Sequence, residues 1–326
     1  MVCEGNRKKT YGVREEMVQS DQMRFRAAYL EMSRKELWER VYRAEGMLKE
    51  CTLCPRNCGV DRTSGEVGFC KTGNTPFVSS WGPHFGEEKP LVGRFGSGTI
   101  FFGHCNLGCV FCQNWVISHL GEGEEISFER LAKIMEDLQG MGCHNINLVS
   151  PTHQMPMILH SLAIAVEKGL TIPIVYNCGG YESLETLKIL RGIIDIYMPD
   201  FKYADPEKAL KYSKAKDYPE RAKAALKEMH MQVGDLVVDA RGIAQRGLLV
   251  RHLVLPEDIA GTEEVVSFIA EEISENTYLN IMDQYSPCYK ASEHPLLNRK
   301  ITKEEYATAV IIAQRKGIKR IDGVTG

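Results

Sequence analysis

The alternation of apolar runs along this chain predicts an α/β fold built around a parallel β-sheet. From residue 97 onward, short β-prone runs alternate with longer runs of helical periodicity, which is the pattern of βα units. A chain of 326 residues with 44% hydrophobic residues can bury one full α/β core and a small appendage. The sequence shows no repeat of fixed period and no low-complexity segment.

Six strands and six helices are expected in this region. The strands are predicted at 98–103, 145–150, 172–177, 193–199, 247–255 and 277–284. The helices are predicted at 127–141, 154–169, 182–191, 205–231, 261–274 and 303–316. Ser127 and Ser183 precede two of these helices and are candidate N-caps. In a parallel barrel the functional groups follow the carboxyl ends of the strands, so candidates are sought there.

Two shorter segments precede the α/β region. Residues 1–50 are charged and show helical periodicity around 27–32 and 37–42, which predicts a helical N-terminal extension. Residues 51–80 form a turn-rich segment that contains four cysteines. The α/β region itself is expected to span residues 81–326.

The charge balance does not indicate a nucleic acid or a membrane as partner. The formal net charge is −3, with 40 basic and 43 acidic residues well mixed. The N-terminus has no apolar core of signal-peptide length, and no stretch approaches a membrane span. Eleven cysteines without a secretory signal predict a cytoplasmic protein whose thiols bind metals rather than form disulfides.

Three closely spaced cysteines form the most specific motif of the chain. Cys105, Cys109 and Cys112 have the spacing C-x3-C-x2-C and follow the predicted strand 98–103. Iron in a cubane cluster prefers thiolate ligands, and a closed cluster takes four of them. Three thiolates therefore predict a cluster with one iron open to an outside molecule. A zinc site or three buried thiols are the alternatives, but zinc sites usually pair two cysteine knuckles and this segment holds one.

The motif C-x3-C-x-aromatic-C, with Phe111 as the aromatic residue, resembles the signature of the radical S-adenosylmethionine (SAM) enzymes. From Cys51 onward the sequence is most similar to the pyruvate formate-lyase activating enzyme branch, in particular to relatives with an N-terminal cysteine extension. The resemblance implies a partial (β/α)6 barrel like part of a TIM barrel, with one 4Fe-4S cluster on the three cysteines. It also implies that SAM chelates the open iron and is cleaved to a radical that abstracts hydrogen.

The resemblance further implies which residues contact SAM. They are Phe111, Asn114, Ser150, Asn177, Asp200, Lys202 and Arg251. Capping of the following turn is an alternative role for Asn114. Ser150 stands where most family members have a Gly-Gly-Glu run that accepts from the SAM amino group, so this chain departs from the family there. His153 follows, but a lone loop histidine is more often neither a catalytic group nor a ligand.

The later strands carry the charged part of the implied site. Asn177 belongs to a family segment that approaches SAM and, in the activating enzyme, helps to hold a monovalent cation. Asp200 and Lys202 match the family's Asp-x-Lys, where the aspartate suits the cation or the SAM ammonium and the lysine suits a carboxylate. Arg251 lies inside an apolar strand, and a buried arginine requires an anion, for which the SAM carboxylate is the candidate.

Other residues near strand ends complete the expected wall of the site. Cys178 and Cys288 are candidates for this wall, and a substrate-facing group is expected at Asn280, Asp283, Gln284 and Tyr285.

A second cysteine group lies upstream, at Cys51, Cys54, Cys58 and Cys70. Four soft ligands in a segment with few apolar residues predict a structural metal site, which would help the segment to hold a shape. Zinc and a second iron–sulfur cluster are both open, because C-x2-C-x3-C-x11-C is a standard spacing for neither. Free thiols are the remaining alternative.

The resemblance therefore implies an enzyme similar to the activases of glycyl radical enzymes. Its substrate would be a backbone glycine of a partner protein, and its electron donor a flavodoxin or ferredoxin, while the cofactor performs the difficult step. One alternative is a radical SAM enzyme that acts on a small molecule, a peptide or a tRNA. Another is a non-catalytic metal-binding adaptor.

Overall fold

The sheet of this protein is predominantly parallel, as the alternation of its apolar runs predicts. The computed structural model describes residues 25–322. Ten strands are described: β1 Phe77–His84, β2 Ser97–Phe102, β3 Glu124–Glu125, β4 Ile146–Val149, β5 Ile174–Cys178, β6 Ile196–Pro199, β7 Val237–Val238, β8 Ala244–Leu253, β9 Tyr278–Met282 and β10 Arg320–Ile321. Six of them, β2, β4, β5, β6, β8 and β9, lie side by side in chain order and pair in parallel. These six correspond to the six predicted strands.

Short strands extend this parallel core. From one edge to the other the order is β10-β9-β8-β6-β5-β4-β2-β1-β3, with β7 paired to β8. Strand β1 runs antiparallel to β2, and β10 runs parallel to β9. The sequence did not predict β1, whose side chains are only partly buried and which contains Gly82 and Pro83.

Helices connect the strands and cover the outer face of the sheet. They are α1 Arg34–Gly46, α2 Lys89–Val92, α3 Trp115–Ser118, α4 Phe128–Gly140, α5 Met155–Glu167, α6 Leu184–Leu190, α7 Pro206–Ser213, α8 Tyr218–Val233, α9 Thr262–Phe268 and α10 Lys303–Arg315. Helix α9 continues as a π-helical turn, Ile269–Ile273. None of the helices described between residues 25 and 322 is long and apolar enough to cross a membrane.

Helix α4 shows how the sequence determines these elements. Its apolar residues Leu131, Ile134, Met135 and Leu138 recur at helical spacing and are all buried. The predicted cap Ser127 accepts a hydrogen bond from the Arg130 amide at 3.1 Å, which satisfies one free donor of the first turn. Ser183 occupies the N-cap position of α6, but its side chain makes no capping bond.

The predicted helix 205–231 is wrong as a single element, because two helices occupy it. Helix α7 ends at Ser213, and the C-cap residue Lys214 has a φ of 56°, in the left-handed region. Helix α8 then begins with Pro219 in its first turn, a position that tolerates proline because no helical partner is lost there.

The N-terminal segment packs along the outside of the barrel helices. Residues 1–24 of the predicted helical extension lie outside the described residues, and α1 lies within them. The indole of Trp38 in α1 donates to Glu167 at the end of α5. Just before α1, the amide of Ala28 donates to the buried carboxylate of Asp195 at 2.8 Å. These contacts join the segment to the α/β core.

Candidate active site

A cavity of about 230 Å3 lies at the carboxyl ends of the parallel strands. Successive side chains of a strand point to opposite faces of the sheet. Tyr176 and Val250 accordingly belong to the main hydrophobic core, whereas their neighbours Asn177 and Arg251 line the cavity. The strands therefore build a polar interior from sequence that is otherwise strongly apolar.

The three predicted cluster cysteines line this cavity together. The loop that carries them begins at Gly103, directly after β2, and ends in α3. The end of α7 holds this loop, because the amides of Gly108 and Val110 donate to the carbonyls of Ser213 and Tyr212 at 3.1 and 2.9 Å. The loop is thus fixed by backbone bonds and does not depend on its thiols alone.

Hydroxyl and amide groups surround the three sulfur atoms. The Cys109 sulfur lies 2.9 Å from Ser213 Oγ, and the Cys112 sulfur lies 3.1 Å from Ser118 Oγ. The Leu107 amide donates to the Cys105 sulfur at 3.4 Å. These contacts orient the sulfurs, and hydrogen bonds to sulfur tune the potential of an iron–sulfur cluster.

Burial favours the protonated form of Cys105 and Cys109 when no metal is bound. It raises the pKa of Cys105 to about 12, and the neighbouring Cys109 adds to the effect. A metal cation reverses this preference, since a coordinating thiol is deprotonated outright. Three soft donors that line one cavity fit an iron–sulfur cluster better than a hard oxygen-liganded ion.

A network of charged side chains lines the cavity together with the three cysteines. Arg251 donates from Nε to Asp200 Oδ1 at 2.8 Å and from Nη2 to Asn177 Oδ1 at 2.6 Å. Lys202 pairs with the other oxygen of Asp200, so both carboxylate oxygens accept from basic side chains. The expected proximity of Asp200 and Lys202 is therefore found, and the three strands that end here supply two cations and one anion.

The network keeps all three groups charged. Burial opposes ionisation of Asp200, but Arg251 and Lys202 outweigh it and lower the carboxyl pKa. Burial likewise opposes the charge of Lys202, but Asp200 and the nearby Cys109 raise its pKa to about 12. The cavity thus carries an excess of positive charge beside the thiols, which suits a ligand with a carboxylate.

All seven residues that the sequence suggested for SAM line the cavity: Phe111, Asn114, Ser150, Asn177, Asp200, Lys202 and Arg251. Asn114 makes no side-chain capping bond to α3, so the alternative role as a cap is not found. Ser150 has a φ of 57° and donates its amide to the Asn177 carbonyl, which fixes the departure from β4.

The expected substrate wall is found only in part. Gln284 lines the cavity, as does Cys178. Tyr285 is buried and donates to the Leu297 carbonyl at 2.7 Å, and Asn280 donates to Glu88 at 2.9 Å. Neither of these two lines the cavity, because local packing takes up their polar groups.

Sequence reasoning missed the apolar residues of the wall. They are Phe101, Phe102, Leu107, Ile117, Val149, Leu253 and Met282. The period-two alternation of a strand would have identified Leu253, since it lies two residues from Arg251. The sequence did not identify Ser213 as a contact of Cys109, because Ser213 lies at the end of α7 and not on a strand.

The four upstream cysteines also come together. Cys51, Cys54, Cys58 and Cys70 line a small cavity of about 10 Å3 with Arg62 and His153. Burial raises the pKa of Cys54 to about 12, so this thiol is protonated at neutral pH without a metal. Among residues 25–322 as they lie, no three His, Cys, Asp or Glu side chains already meet around the position of one ion.

A match to a protein-family model identifies the superfamily of this α/β region. A family model described as the radical SAM superfamily matches residues 99–240, which include the cysteine loop, Asn177, Asp200 and Lys202. Residues 99–240 belong to the radical SAM superfamily. Membership implies a 4Fe-4S cluster and SAM, and the three thiols beside a charged network fit both groups.

Two curated relatives of this radical SAM protein come from Methanocaldococcus jannaschii. "Uncharacterized protein MJ0674" is 34% identical over 288 residues, which cover 85% of this chain and 78% of the relative. "Uncharacterized protein MJ0808" is 25% identical over 268 residues, which cover 75% of this chain and 73% of the relative. Both matches extend well beyond the region of the family model.

A solved structure shares the fold. It is a radical SAM methyltransferase from Sphaerobacter thermophilus, with a TM-score of 0.50 and 14% sequence identity. The similarity covers 90% of this chain and 94% of that one. At this identity the similarity concerns the fold and not the reaction.

Proposed function

We propose that this radical SAM enzyme abstracts a hydrogen atom from a backbone glycine of a partner protein, as an activase of a glycyl radical enzyme does. One observation carries the proposal: the three cluster cysteines and the Asn177–Asp200–Arg251 network line the same cavity. A zwitterionic amino acid group bound to the cluster would lie between the thiols and this network. The choice of substrate rests on the resemblance, noted in the sequence, to the pyruvate formate-lyase activating enzyme branch.

Different residues of the cavity have different roles in binding the cluster and SAM. Cys105, Cys109 and Cys112 would hold the cluster, and Arg251 and Lys202 would attract the SAM carboxylate. Asp200 holds both basic side chains in place and is suited to the SAM ammonium. Phe111 and Leu107 are buried beside the thiols and exclude water from the reacting atoms.

Held by Cys105, Cys109, Cys112 and the Asn177–Asp200–Arg251 network, the cluster and SAM would supply one-electron reductive cleavage of SAM and, with it, the abstraction of one hydrogen atom from the glycine α-carbon. The electron comes from a reduced flavodoxin or ferredoxin, and no further oxidant is required. The protein contributes binding, orientation and exclusion of water.

Three further expectations belong to this proposal. A cytoplasmic location follows from the need to keep many thiols reduced. A zinc ion or a second iron–sulfur cluster is proposed at Cys51, Cys54, Cys58 and Cys70. A monovalent cation at Asp200 stays a prediction. Both oxygens of Asp200 already accept from basic side chains, so a cation there would compete with them.

Cleavage of SAM is the first test. The protein is reconstituted anaerobically with iron and sulfide, reduced with dithionite and incubated with SAM, and 5′-deoxyadenosine is measured by mass spectrometry. The Cys109→Ala variant is the matched control, and we expect it to release none. A wild-type protein with an intact cluster that forms no 5′-deoxyadenosine would refute the proposed reaction.

The substrate is tested by transfer of deuterium. A glycyl radical enzyme from the same organism, labelled with α-deuterated glycine, should pass deuterium to 5′-deoxyadenosine and acquire a glycyl radical signal in EPR. SAM cleavage without transfer from any such enzyme would assign the chain to another substrate, whether a small molecule, a peptide or a tRNA.

A further inference from the structure

Arg62 is a buried cation that lacks a carboxylate partner. Its side chain is among the largest fully buried ones, with 1% exposure. Its Nε and Nη2 donate to the Gly73 carbonyl, and its Nη1 donates to the His153 carbonyl at 2.8 Å. Within the described part of the chain, no carboxylate lies within ion-pair distance of this guanidinium. Arginine stays protonated in proteins, so the buried charge is costly unless an anion accompanies it.

The four upstream cysteines are the group that can supply this anion. Arg62 Nη1 lies 4.0 Å from the Cys51 sulfur, and Arg62 lines the same cavity as all four thiols. Thiols are neutral, but thiolates on a soft metal form a complex with net negative charge. The guanidinium therefore lies where an anionic metal–thiolate complex would need a counter-charge.

His153 adds a second observation in the same cavity. Its Nε2 lies 2.8 Å from the Gly103 carbonyl, which can only accept, so the ring proton is on Nε2. Its Nδ1 therefore carries a lone pair, and this atom is buried without a hydrogen-bond partner. Histidines that bind metals typically donate their other ring N–H to a carbonyl in this way. Since His153 lines the same cavity as the four cysteines, its unpartnered Nδ1 is a candidate nitrogen donor for a metal there.

The same cavity is joined to the loop of the three cluster cysteines. Gly103, the partner of His153, begins that loop. Arg56 lies between Cys54 and Cys58, and its Nε donates to the carbonyl of Asn106 at 2.9 Å. The Arg56 guanidinium also donates to the carbonyls of Lys214 and Ser213. Ser213 is the residue whose hydroxyl contacts Cys109.

We infer that the four-cysteine cavity binds a thiophilic metal as an anionic thiolate complex, with Arg62 as its buried counter-charge and His153 as an adjacent donor. We also infer that Arg56 and His153 transmit its occupancy to the cluster loop. Binding requires the thiol side chains to rotate toward one another, because they do not yet surround a common point. The first inference deepens the metal site already proposed at these four cysteines and does not depend on the proposed reaction, whereas the second rests on SAM binding at the cluster loop.

Metal content tests the first inference without any enzymatic readout. The full chain is prepared with Cys105, Cys109 and Cys112 all changed to alanine, and is loaded anaerobically with zinc alone or with iron and sulfide. We expect about one zinc or about four irons per chain to remain after desalting. The metal retained identifies the complex. A variant that retains neither metal would overturn the inference, whatever the wild-type protein does with SAM.

The role of Arg62 is tested in the same background by two substitutions. Arg62→Met removes the counter-charge and should weaken metal binding by about 10- to 100-fold, the usual effect of losing a group that supports metal ligands. Arg62→Lys keeps the charge and should lose less affinity. Equal affinity in all three proteins would refute the role of counter-charge.

Coupling between the sites is tested with the three cluster cysteines intact. Cys54→Ala combined with Cys70→Ala removes two ligands of the four-cysteine cavity, and Arg56→Met removes the hydrogen bonds from Arg56 to the cluster loop and to α7 without changing a thiol. Both should weaken SAM binding by about tenfold or more, measured by the SAM-induced change in the EPR spectrum of the reduced cluster. Circular dichroism shows whether each variant is folded. A folded Arg56→Met protein with wild-type SAM affinity and spectrum would overturn the coupling, while metal retention would still stand on its own test.

Discussion

At the scale of single residues, Arg251 is the most informative side chain of the cavity. Its position inside an apolar strand was sufficient to predict an anionic partner. The partner found in the chain itself is Asp200, on the neighbouring strand. Sequence could not give this pairing, because 51 residues separate the two and only the sheet register brings them together.

Arg251→Lys should impair SAM binding more than folding. The guanidinium bonds Asp200 and Asn177 through separate nitrogens, and an ammonium cannot reproduce this fork. In the proposed site the same guanidinium also donates to the SAM carboxylate, and loss of that charge-assisted bond, worth about 1.5–3 kcal/mol, weakens SAM binding about 10- to 100-fold. A titration of the reduced cluster with SAM, followed by EPR, measures the change. The control is Arg246→Lys, an exposed arginine on the same strand, and equal losses in both variants would contradict the assignment.

Asp195 predicts how the stability of the protein depends on pH. Burial raises its carboxyl pKa from 3.8 to about 7, although the amides of Ile174 and Ala28 donate to it. The folded protein therefore holds this proton up to about pH 7, whereas the unfolded chain releases it near pH 4. The resulting contribution to stability is complete below pH 4 and is lost as the pH rises through 7.

Asp195→Asn should flatten this dependence, because asparagine does not titrate. Urea unfolding of the metal-free protein at pH 5 and pH 8 gives the two free energies for each variant. The wild type should lose about 2.5 kcal/mol more than the variant between these pH values. Asp283→Asn, at an exposed position, is the control and should behave as the wild type does. Equal pH dependence of wild type and Asp195→Asn would show that Asp195 does not titrate in this range.

At the scale of elements, burial on both faces made the parallel strands predictable. The predicted run 98–103 corresponds to β2, Ser97–Phe102, and 277–284 contains β9, Tyr278–Met282. Strand β1 was missed because its partner lies beyond a loop and one of its faces is exposed, so neither a continuous apolar run nor clean alternation marks it. Helical periodicity alone likewise did not reveal the break between α7 and α8.

The turn after β5 controls the position of the site, and Gly180 is its critical residue. Its φ is 78°, and a β-carbon there would collide with the carbonyl oxygen of Asp200. Gly180→Ala should therefore move the strand end that carries Asp200, lower the free energy of unfolding by about 1–3 kcal/mol beyond the backbone strain, and reduce SAM cleavage.

Gly169→Ala is the matched control for this change. Gly169 also has a positive φ, 99°, but nothing lies within 4 Å of an added β-carbon. It should show only the backbone strain and keep its SAM cleavage. The two free energies come from urea unfolding and the activities from 5′-deoxyadenosine release. Similar losses of activity in both variants would refute the role of the close approach to Asp200.

At the scale of the whole molecule, the site is assembled from segments that the sequence presents as separate. The cysteine motifs and the strand ends were predictable because their residue types and spacing carry chemistry. The packing of residues 51–80 against the rest of the chain was not predictable, because it uses backbone carbonyls, which every residue has and no sequence pattern marks. Thr186, for example, donates its hydroxyl to the Leu53 carbonyl at 2.8 Å.

These contacts predict that residues 25–322 unfold as one cooperative unit, although the sequence divides them into three segments. The indole of Trp38 in α1 packs edge-on against His160 of α5, at 5.1 Å between ring centroids, so its fluorescence reports on the junction. Trp81 and Trp115 are changed to phenylalanine, which leaves Trp38 as the only tryptophan. Its fluorescence transition in urea should coincide with the far-ultraviolet circular dichroism transition, because detaching α1 would expose the apolar face of α5 and leave Asp195 without one of its donors. A Trp38 transition at clearly lower urea would instead make the N-terminal segment an independent unit, and the barrel would then have to be stable without it.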